Sequence, residues 1–221
     1  SHMSTFPGSP RLVKGGIVLV DPRSAAVRCV IALQYNPDTL SRTLQVQGIS
    51  GEGGDRSEAL RLKGPPVETI KVEAEIDATD QLEFPDKNPE AVEVGIHPQL
   101  AALEMIVYPP SSKILANNRL AQSGMLEIAP VESALALFVW SKTRILPVRL
   151  TDFSITEEAF DPKLNPIRAK VSLGMRVLNI NDLEFVHVGS SIFMSYLQQK
   201  ERFAAMSHPG TLGMLGVRGI L

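Results

Sequence analysis

Three carboxylates crowd one short stretch of the sequence, at Glu157, Glu158 and Asp161. A pair of carboxylates can act as general acid and general base when a concave site moves their pKa values apart. Carboxylate oxygens at suitable spacing can instead hold a calcium ion. The surrounding segment, residues 154–177, reads SITEEAFDPKLNPIRAKVSLGMRV and contains two prolines and Arg168. Its chemistry could be that of an acid–base site, a metal loop or an acidic strand connection.

The residues upstream of this stretch predict a strand with an irregularity. Val148 and Leu150 share one register of the alternation, whereas Phe153 and Ile155 share the other. Side chains alternate between the two faces of a strand, so a slip of one residue reverses the face that is buried. The pattern therefore predicts a β-bulge or a sharp bend near residues 151–152.

The residues downstream predict the most regular strand of the chain. Apolar and polar side chains alternate strictly over residues 167–177, which is typical of a strand with one buried face. The apolar positions are Ile167, Ala169, Val171, Leu173, Met175 and Val177, and the polar ones include Arg168, Lys170, Ser172 and Arg176. Two such runs predict a β-hairpin, and proline, which fixes φ, stiffens its connecting loop.

The hairpin prediction argues against chemistry at the three carboxylates. A loop tip offers no concave site that would separate their pKa values, and the spaced acidic ligands and central glycine of a calcium loop are missing. The histidines His97, His187 and His208 show no metal-ligand spacing. We therefore expect no catalytic, cofactor-binding or metal-binding residues. A cell-wall-acting hydrolase that uses the carboxylates stays open as an alternative.

Composition sets broad bounds on the class of protein. The chain has 221 residues, of which 44% are hydrophobic and 21% charged, and its formal net charge is -2. These values are typical of one soluble globular domain without a nucleic-acid footprint. No apolar run reaches the roughly 18 residues that a membrane span needs, so no membrane insertion is expected. The single cysteine, Cys29, excludes an internal disulfide, and we expect it in the core.

Further patterns predict an α+β fold that is mainly antiparallel β, with two helices. Predicted strands include residues 14–21, 27–35 and 67–77 and a pair within 134–150, and predicted helices cover 97–110 and 190–206. Strand 67–77 has one charged face, whereas strand 27–35 is apolar on both faces and is expected to be covered on both. Ser190 or Ser191 is expected to cap the second helix. Residues 48–66 predict a Gly-rich loop.

Three segments follow from these patterns. Residues 1–13 are expected to be an expression-tag remnant and a disordered lead-in, residues 14–206 a β-rich domain, and residues 207–221 a Gly-rich apolar tail. No secretory signal is expected after the first residues. An apolar segment without its own fold gains by burial on a partner. The candidate docking residues are Leu212, Met214, Leu215 and Val217. A disordered terminus is the alternative.

Three passages resemble the tube-type domain of contractile injection system baseplate proteins, which belong to phage-tail-like particles. They are LQYNPDTLSRTLQ (33–45), HPQLAALEMIVYPP (97–110) and FVWSKTRILPVRLTDFSITEEAFDPKLNPIRAKVSLGMRVL (138–178). The resemblance extends from about residue 14 to about residue 206. It rests above all on the Asn-Pro turn after an early strand together with the Phe-Asp-Pro and Leu-Asn-Pro-Ile-Arg-Ala run.

The resemblance implies a split β-barrel with a packed helix and a C-terminal helix. It also implies a homohexameric ring formed by edge-to-edge β pairing, which joins the spike hub to the inner tube and needs no cofactor. The hairpin residues that carry the implied assembly role are Glu157, Glu158, Phe160, Asp161, Pro162, Asn165, Pro166 and Arg168. The expected location is the bacterial cytoplasm, within an intracellular or released particle.

The resemblance is to the tube domain alone. Family members often add a peptidoglycan-binding LysM module, and no such module is evident in the residues after 206. Cell-wall binding is therefore not expected of this sequence. A small-ligand-binding β-barrel module is a further alternative, which a large closed apolar cavity would support.

Overall fold

A seven-stranded antiparallel sheet forms the centre of the computed structural model, which describes residues 13–48, 61–124, 133–184 and 186–220. The strands are β1 Gly16–Val20, β2 Val27–Ala32, β3 Leu40–Gln45, β4 Val67–Asp77, β5 Leu135–Ser141, β6 Arg144–Phe160 and β7 Pro166–Val177. Their order in the sheet is β2-β1-β5-β6-β7-β4-β3. Strands β2 and β3 are therefore the two edges of the sheet. The fold class is α+β, as the sequence predicts.

Five α-helices occur within the described ranges. They are α1 Thr79–Leu82, α2 Pro89–Val94, α3 His97–Glu104, α4 Ser111–Gln122 and α5 Val188–Met206. Short 3₁₀ helices cover Pro85–Lys87 and Leu212–Leu215. The sequence patterns predicted two helices, because α1 and α2 are too short for a stripe and α4 carries no buried residue. Of the described helices, none has the length and apolar character to cross a bilayer.

Strands β4 and β7 bury the face that their alternation predicted. In β7 the side chains of Ala169, Val171 and Met175 are fully buried, whereas Lys170 is exposed. In β4 the buried residues are Ile70, Val72, Ala74 and Ile76, and the exposed ones include Lys71, Glu73 and Glu75. Helices α3 and α5 cover this apolar face with Ile96, Leu100, Leu103, Phe193 and Tyr196, which belong to the same core cluster.

The β6–β7 hairpin contains the irregularity that the sequence predicted. The register pairs Leu150 with Met175 and then Asp152 with Gly174, so Thr151 is the extra residue. This bulge keeps Phe153 on the apolar side of the sheet, where it packs against the core. A side chain at position 174 would come within 2.8 Å of the Asp152 carboxylate. Glycine at 174 therefore leaves space for Asp152.

The expectation that both faces of the segment after residue 27 are covered was wrong. Val27 and Val30 in β2 are 63% and 64% exposed, and Cys29 is exposed rather than in the core. The reason is topological, because β2 is an edge strand that pairs only with β1 among the described strands. Apolar composition is typical of buried strands, but it does not indicate whether a strand lies at the centre or at the edge of the sheet.

The two helices that the sequence predicted begin or end at other residues in the structure. Helix α3 ends at Glu104, and Val107, which the pattern placed on its apolar stripe, is 48% exposed. Helix α5 begins at Val188, and its cap is His187, whose Nδ1 accepts a hydrogen bond of 2.9 Å from the Gly189 N–H. The predicted cap residue Ser190 is instead buried inside the first turn.

A buried polar network fixes α5 to the sheet. Glu68 in β4 is 5% exposed, and the Arg42 Nε of β3 donates to its carboxylate at 2.7 Å. The Tyr196 hydroxyl of α5 donates to the same carboxylate at 3.1 Å and accepts from Arg42 Nη2 at 3.1 Å. Because each group has a partner, the carboxylate is held below the surface without an unpaired charge.

Stability at alkaline pH is expected to depend on Tyr196. Burial, and next the negative charge of Glu68, raise the pKa of Tyr196 to about 12 from its ordinary value near 10. As the pH rises, the unfolded chain therefore loses this proton before the folded chain does. The contribution of Tyr196 to the free energy of unfolding is fully present below pH 10 and is lost between pH 10 and about 12. Denaturant titrations across this range measure the slope.

The control is Tyr108, a tyrosine that is largely exposed. Tyr196→Phe is expected to remove part of the alkaline slope, whereas Tyr108→Phe, at a residue that is 62% exposed, should leave the slope unchanged. Equal slopes in both variants would contradict the assignment. A tyrosinate absorbance titration of the wild-type protein gives an independent reading of the raised pKa.

Candidate functional site

The loop of the β6–β7 hairpin is organised around Asp161. Its Oδ1 accepts hydrogen bonds of 2.8 Å from the backbone N–H groups of Lys163 and Asn165. Its Oδ2 accepts a third bond, also 2.8 Å, from the side-chain amide of Asn165. These bonds, that of the Asn165 amide first, lower the pKa of Asp161. The carboxylate therefore shapes the turn and has a structural partner for both of its oxygens.

The loop is also clamped to the helical layer. The Asn165 amide donates to the Glu93 carbonyl at 2.9 Å, and the Ile96 N–H donates to the Pro166 carbonyl at 2.9 Å. Gly95, between these two helical positions, has φ +60°, and a Cβ there would lie 2.2 Å from the Pro166 oxygen. The Asp-Pro and Asn-Pro signature thus makes contacts within the chain.

The other two carboxylates of the stretch project in different directions. Glu157 and Glu158 are successive residues of β6 and so point to opposite faces. Glu158 lies 3.3 Å from Lys170 Nζ and 3.7 Å from Arg168 Nε, whereas Glu157 is exposed. Together with the role of Asp161 in the turn, this geometry does not bring the three carboxylates into one cleft.

The tip of the hairpin exposes apolar side chains instead. Phe160 is 49% exposed and Leu164 is 77% exposed, and Pro162 is exposed as well. Leu164 adopts φ +66°, an unusual conformation for a branched residue. Of the hairpin residues predicted to function in assembly, Asp161, Asn165 and Pro166 therefore organise the loop. Phe160 and Pro162 lie on its surface.

Next to the hairpin, β4, β7 and β6 present one continuous polar face. Three rows cross the strands in register, namely Glu73–Ser172–Ser154, Glu75–Lys170–Thr156 and Asp77–Arg168–Glu158. Acidic and basic side chains stand opposite each other in the last two rows, which is favourable for cross-strand pairs. The face thus combines small hydroxyl groups with charges of both signs.

The two edges of the sheet come close to each other through Gln34. This residue follows β2, and its Nε2 donates to the Asp77 carbonyl at 2.7 Å while its Oε1 accepts from the Asp77 N–H at 3.0 Å. Asp77 ends β4, the neighbour of the opposite edge strand. The Gln34 amide therefore bonds to the backbone of Asp77 as a neighbouring strand would, and it joins the segment after β2 to the end of β4. The sheet must curl strongly for these two parts to meet.

The Asn-Pro turn that follows has a similar bridging role. Asn36 Oδ1 accepts a hydrogen bond of 2.9 Å from the Gly15 N–H, and its Nδ2 donates to the Val13 carbonyl at 2.8 Å. These bonds hold the start of β1 beside the end of β2. Sequence reasoning recognised the turn from Asn36 and Pro37, but it assigned no partner to the amides of Gln34 and Asn36.

The tail leaves its apolar side chains in solvent. Met214 and Leu215 are 78% and 75% exposed, and Leu212 and Val217 are 41% and 40% exposed. A hydrogen bond of 3.1 Å from the Val217 N–H to the Leu212 carbonyl closes the short 3₁₀ turn. All four predicted docking residues therefore lie on one small ordered turn outside the core.

In the part of the chain that the structure describes, no group of three His, Cys, Asp or Glu side chains could hold a metal ion. Comparison with known proteins finds no family model that matches the chain and no curated protein with significant similarity to it.

Proposed function

We propose that this chain is a structural subunit of a contractile injection particle, in which six copies form a baseplate ring between the spike hub and the inner tube. In this proposal the curled sheet and its helices are a tube-type split β-barrel. The observation that carries the proposal is the sheet itself. One face is polar and open across β4, β7 and β6, while the helices cover the other face.

The edges of the sheet support ring formation. An exposed edge strand pairs readily with another chain, and strand addition of this kind supplies backbone hydrogen bonds to a partner. Val27 and Val30 expose apolar surface along the β2 edge. The proposed contact joins β2 of one copy to the β3 side of the next. Because the two surfaces differ, the contact is head-to-tail, and it closes a ring when the rotation from each copy to the next completes a circle. The polar face then lines the lumen.

The hairpin and the tail supply the contacts above and below the ring in this proposal. Phe160 and Leu164 at the hairpin tip are exposed on a loop that its internal hydrogen bonds hold in shape. A preorganised loop loses little conformational freedom when it docks on a neighbouring ring. Met214 and Leu215 in the tail have the same exposed apolar character.

Substitution of Val30 by aspartate tests the proposed ring. Val30 is 64% exposed, so Val30→Asp should leave the fold of the free chain intact while a desolvated charge blocks pairing at the β2 edge. We expect at least a tenfold loss of incorporation when the variant is co-expressed with hub and tube proteins. Native mass spectrometry and electron microscopy of purified particles measure incorporation.

The matched control is Val186→Asp, at a valine that is 87% exposed and belongs to no strand of the sheet. This variant should enter particles like the wild-type chain. Wild-type incorporation of Val30→Asp would count against the edge contact. A wild-type chain that stays monomeric at high concentration and is not recruited by purified hub and tube proteins would overturn the proposed function.

A further inference from the structure

A half-open depression of about 640 Å³ lies between the β5–β6 turn and the C-terminal half of α5. The turn contributes Trp140 and Arg144, and the helix contributes Tyr196, Lys200 and Phe203. It is distinct from the polar sheet face, the hairpin and the tail. Its lining combines cations with aromatic rings, which is typical of a site for a ligand with an anionic group and an apolar body.

The aromatic part of the depression is held in place from behind. The ring of Trp140 stacks on that of Phe138, with the ring centres 5.7 Å apart and the planes at 25°. Gly15 packs against the indole so closely that a Cβ there would lie 2.7 Å from the ring. Because Trp140 is fixed by its own chain, a ligand would not have to order it.

Two of the three cationic side chains in the depression have no carboxylate partner among the described residues. The Arg42 guanidinium is paired with Glu68 at 2.7 Å. Among the described residues, no carboxylate lies within ion-pairing distance of Arg144 or Lys200. The Lys200 ammonium lies 4.5 Å from the centre of the Tyr196 ring. Two cations therefore border an aromatic surface without an anion of their own.

The surroundings of Lys200 show how unfavourable this arrangement is without a ligand. Burial, and next the positive charge of Arg42, lower the pKa of Lys200; Arg144 adds to this effect, and the negative charge of Glu68 opposes it in part. An anion placed between Lys200 and Arg144 would remove this repulsion and accept charge-assisted hydrogen bonds from both side chains. Phe203 lies in the last turn of α5, where the partial negative charge of the helix end disfavours anions, and this favours a singly charged group over a doubly charged phosphate.

We propose that this depression is a binding site for a carboxylate carried on an aromatic or aliphatic body. The carboxylate lies between Arg144 and Lys200, and the apolar body lies against Trp140 and Phe203. The site belongs to the single chain and does not require the ring. Its test can therefore fail while the proposed function stands, and the reverse also holds.

Trp140 supplies the reporter for the test, because it is the single tryptophan of the chain. The indole N–H resonance of the full chain is followed during titration with 3-phenylpropionate, its neutral amide, and phenyl phosphate. A charge-assisted hydrogen bond is stronger than a neutral one, so the carboxylate should bind at least about tenfold more tightly than the amide. The proposal would be overturned if the amide bound as tightly as 3-phenylpropionate, or if phenyl phosphate bound more tightly than 3-phenylpropionate.

Variants locate the carboxylate. Arg144→Gln should weaken 3-phenylpropionate binding about tenfold and leave amide binding unchanged. Lys142→Gln, on the same turn but outside the lining, should have no effect. If Arg144→Gln does not fold, Lys200→Gln on the accessible helix gives the same readout. Wild-type affinity for the acid in the folded variant would exclude this site.

A last comparison separates the two sources of such a carboxylate. The peptide acetyl-Ala-Ala-Ala-Phe carries the same phenyl group and a free chain-end carboxylate, whereas 3-phenylpropionate represents a free organic acid. A peptide that binds at least as tightly as the acid assigns the site to a polypeptide end. Weaker peptide binding assigns it to a small organic acid. Absence of binding by both overturns the proposal.

Discussion

Replacing Gly95 by alanine is expected to lower the free energy of unfolding by about 3 kcal/mol or more. Gly95 has φ +60° and ψ -132°, a backbone conformation that is essentially restricted to glycine and costs another residue about 1–3 kcal/mol. The new Cβ would also lie 2.2 Å from the Pro166 oxygen, which accepts the Ile96 N–H. The hairpin loop must then move away from the helical layer. Denaturant unfolding measures the loss.

Gly124 provides a matched control for this substitution. It has φ +80°, and no atom of the described residues lies within 4 Å of the position that a Cβ would take. Gly124→Ala should therefore cost only the backbone strain, about 1–2 kcal/mol. The difference between the two variants isolates the contact with Pro166. Equal losses would mean that the clamp between the hairpin loop and α2 contributes no stability.

Removal of Arg42 is expected to have the other large effect. Arg42→Met keeps an unbranched apolar stem but leaves the Glu68 carboxylate, 5% exposed, with the Tyr196 hydroxyl as its remaining described partner. Breaking a buried ion pair by removing one partner costs about 3–5 kcal/mol. Arg42 is itself partly exposed, so about 2–4 kcal/mol is expected from denaturant unfolding.

Two further variants show whether this loss comes from the uncompensated charge. Arg42→Met combined with Glu68→Gln should regain most of the stability, since no buried charge is left unpaired. Arg28→Met, which breaks the exposed pair with Asp21, should cost less than about 1 kcal/mol. If the double variant is no more stable than Arg42→Met alone, the buried charge is not the cause.

The predictions that succeeded rest on strict alternation. The bounds of β4, the buried residues of β7 and the bulge at Thr151 follow from a period of two, which burial of one face imposes on any strand. The prediction for β2 failed for a related reason. Its apolar residues have the composition of a covered strand, but an edge position leaves Val27 and Val30 in solvent.

Helix boundaries were predicted less well, because their determinants are not local. His187 caps α5 although serines follow it at 190 and 191. Ser190 instead turns inward and donates its hydroxyl proton to the Glu184 carbonyl at 2.9 Å. The position of the preceding loop therefore decides where the helix begins. Helix α4 was missed because none of its residues is buried in the described part of the chain, so burial imposes no helical period on its sequence.

By itself, the sequence determined the fold class, the hairpin with its bulge and stiffened loop, and the charged face of β4, since these depend on neighbours along the chain. The tertiary structure alone decided that Gln34 meets Asp77, that Asn165 meets Glu93 and that Gly95 meets Pro166, each at a distance of 43 or more residues along the chain. It also brought Arg42, Arg144 and Lys200 to one depression from β3, β6 and α5. The spacing of these residues in the sequence does not indicate that their side chains are neighbours, because the path of the sheet and the packing of α5 determine it.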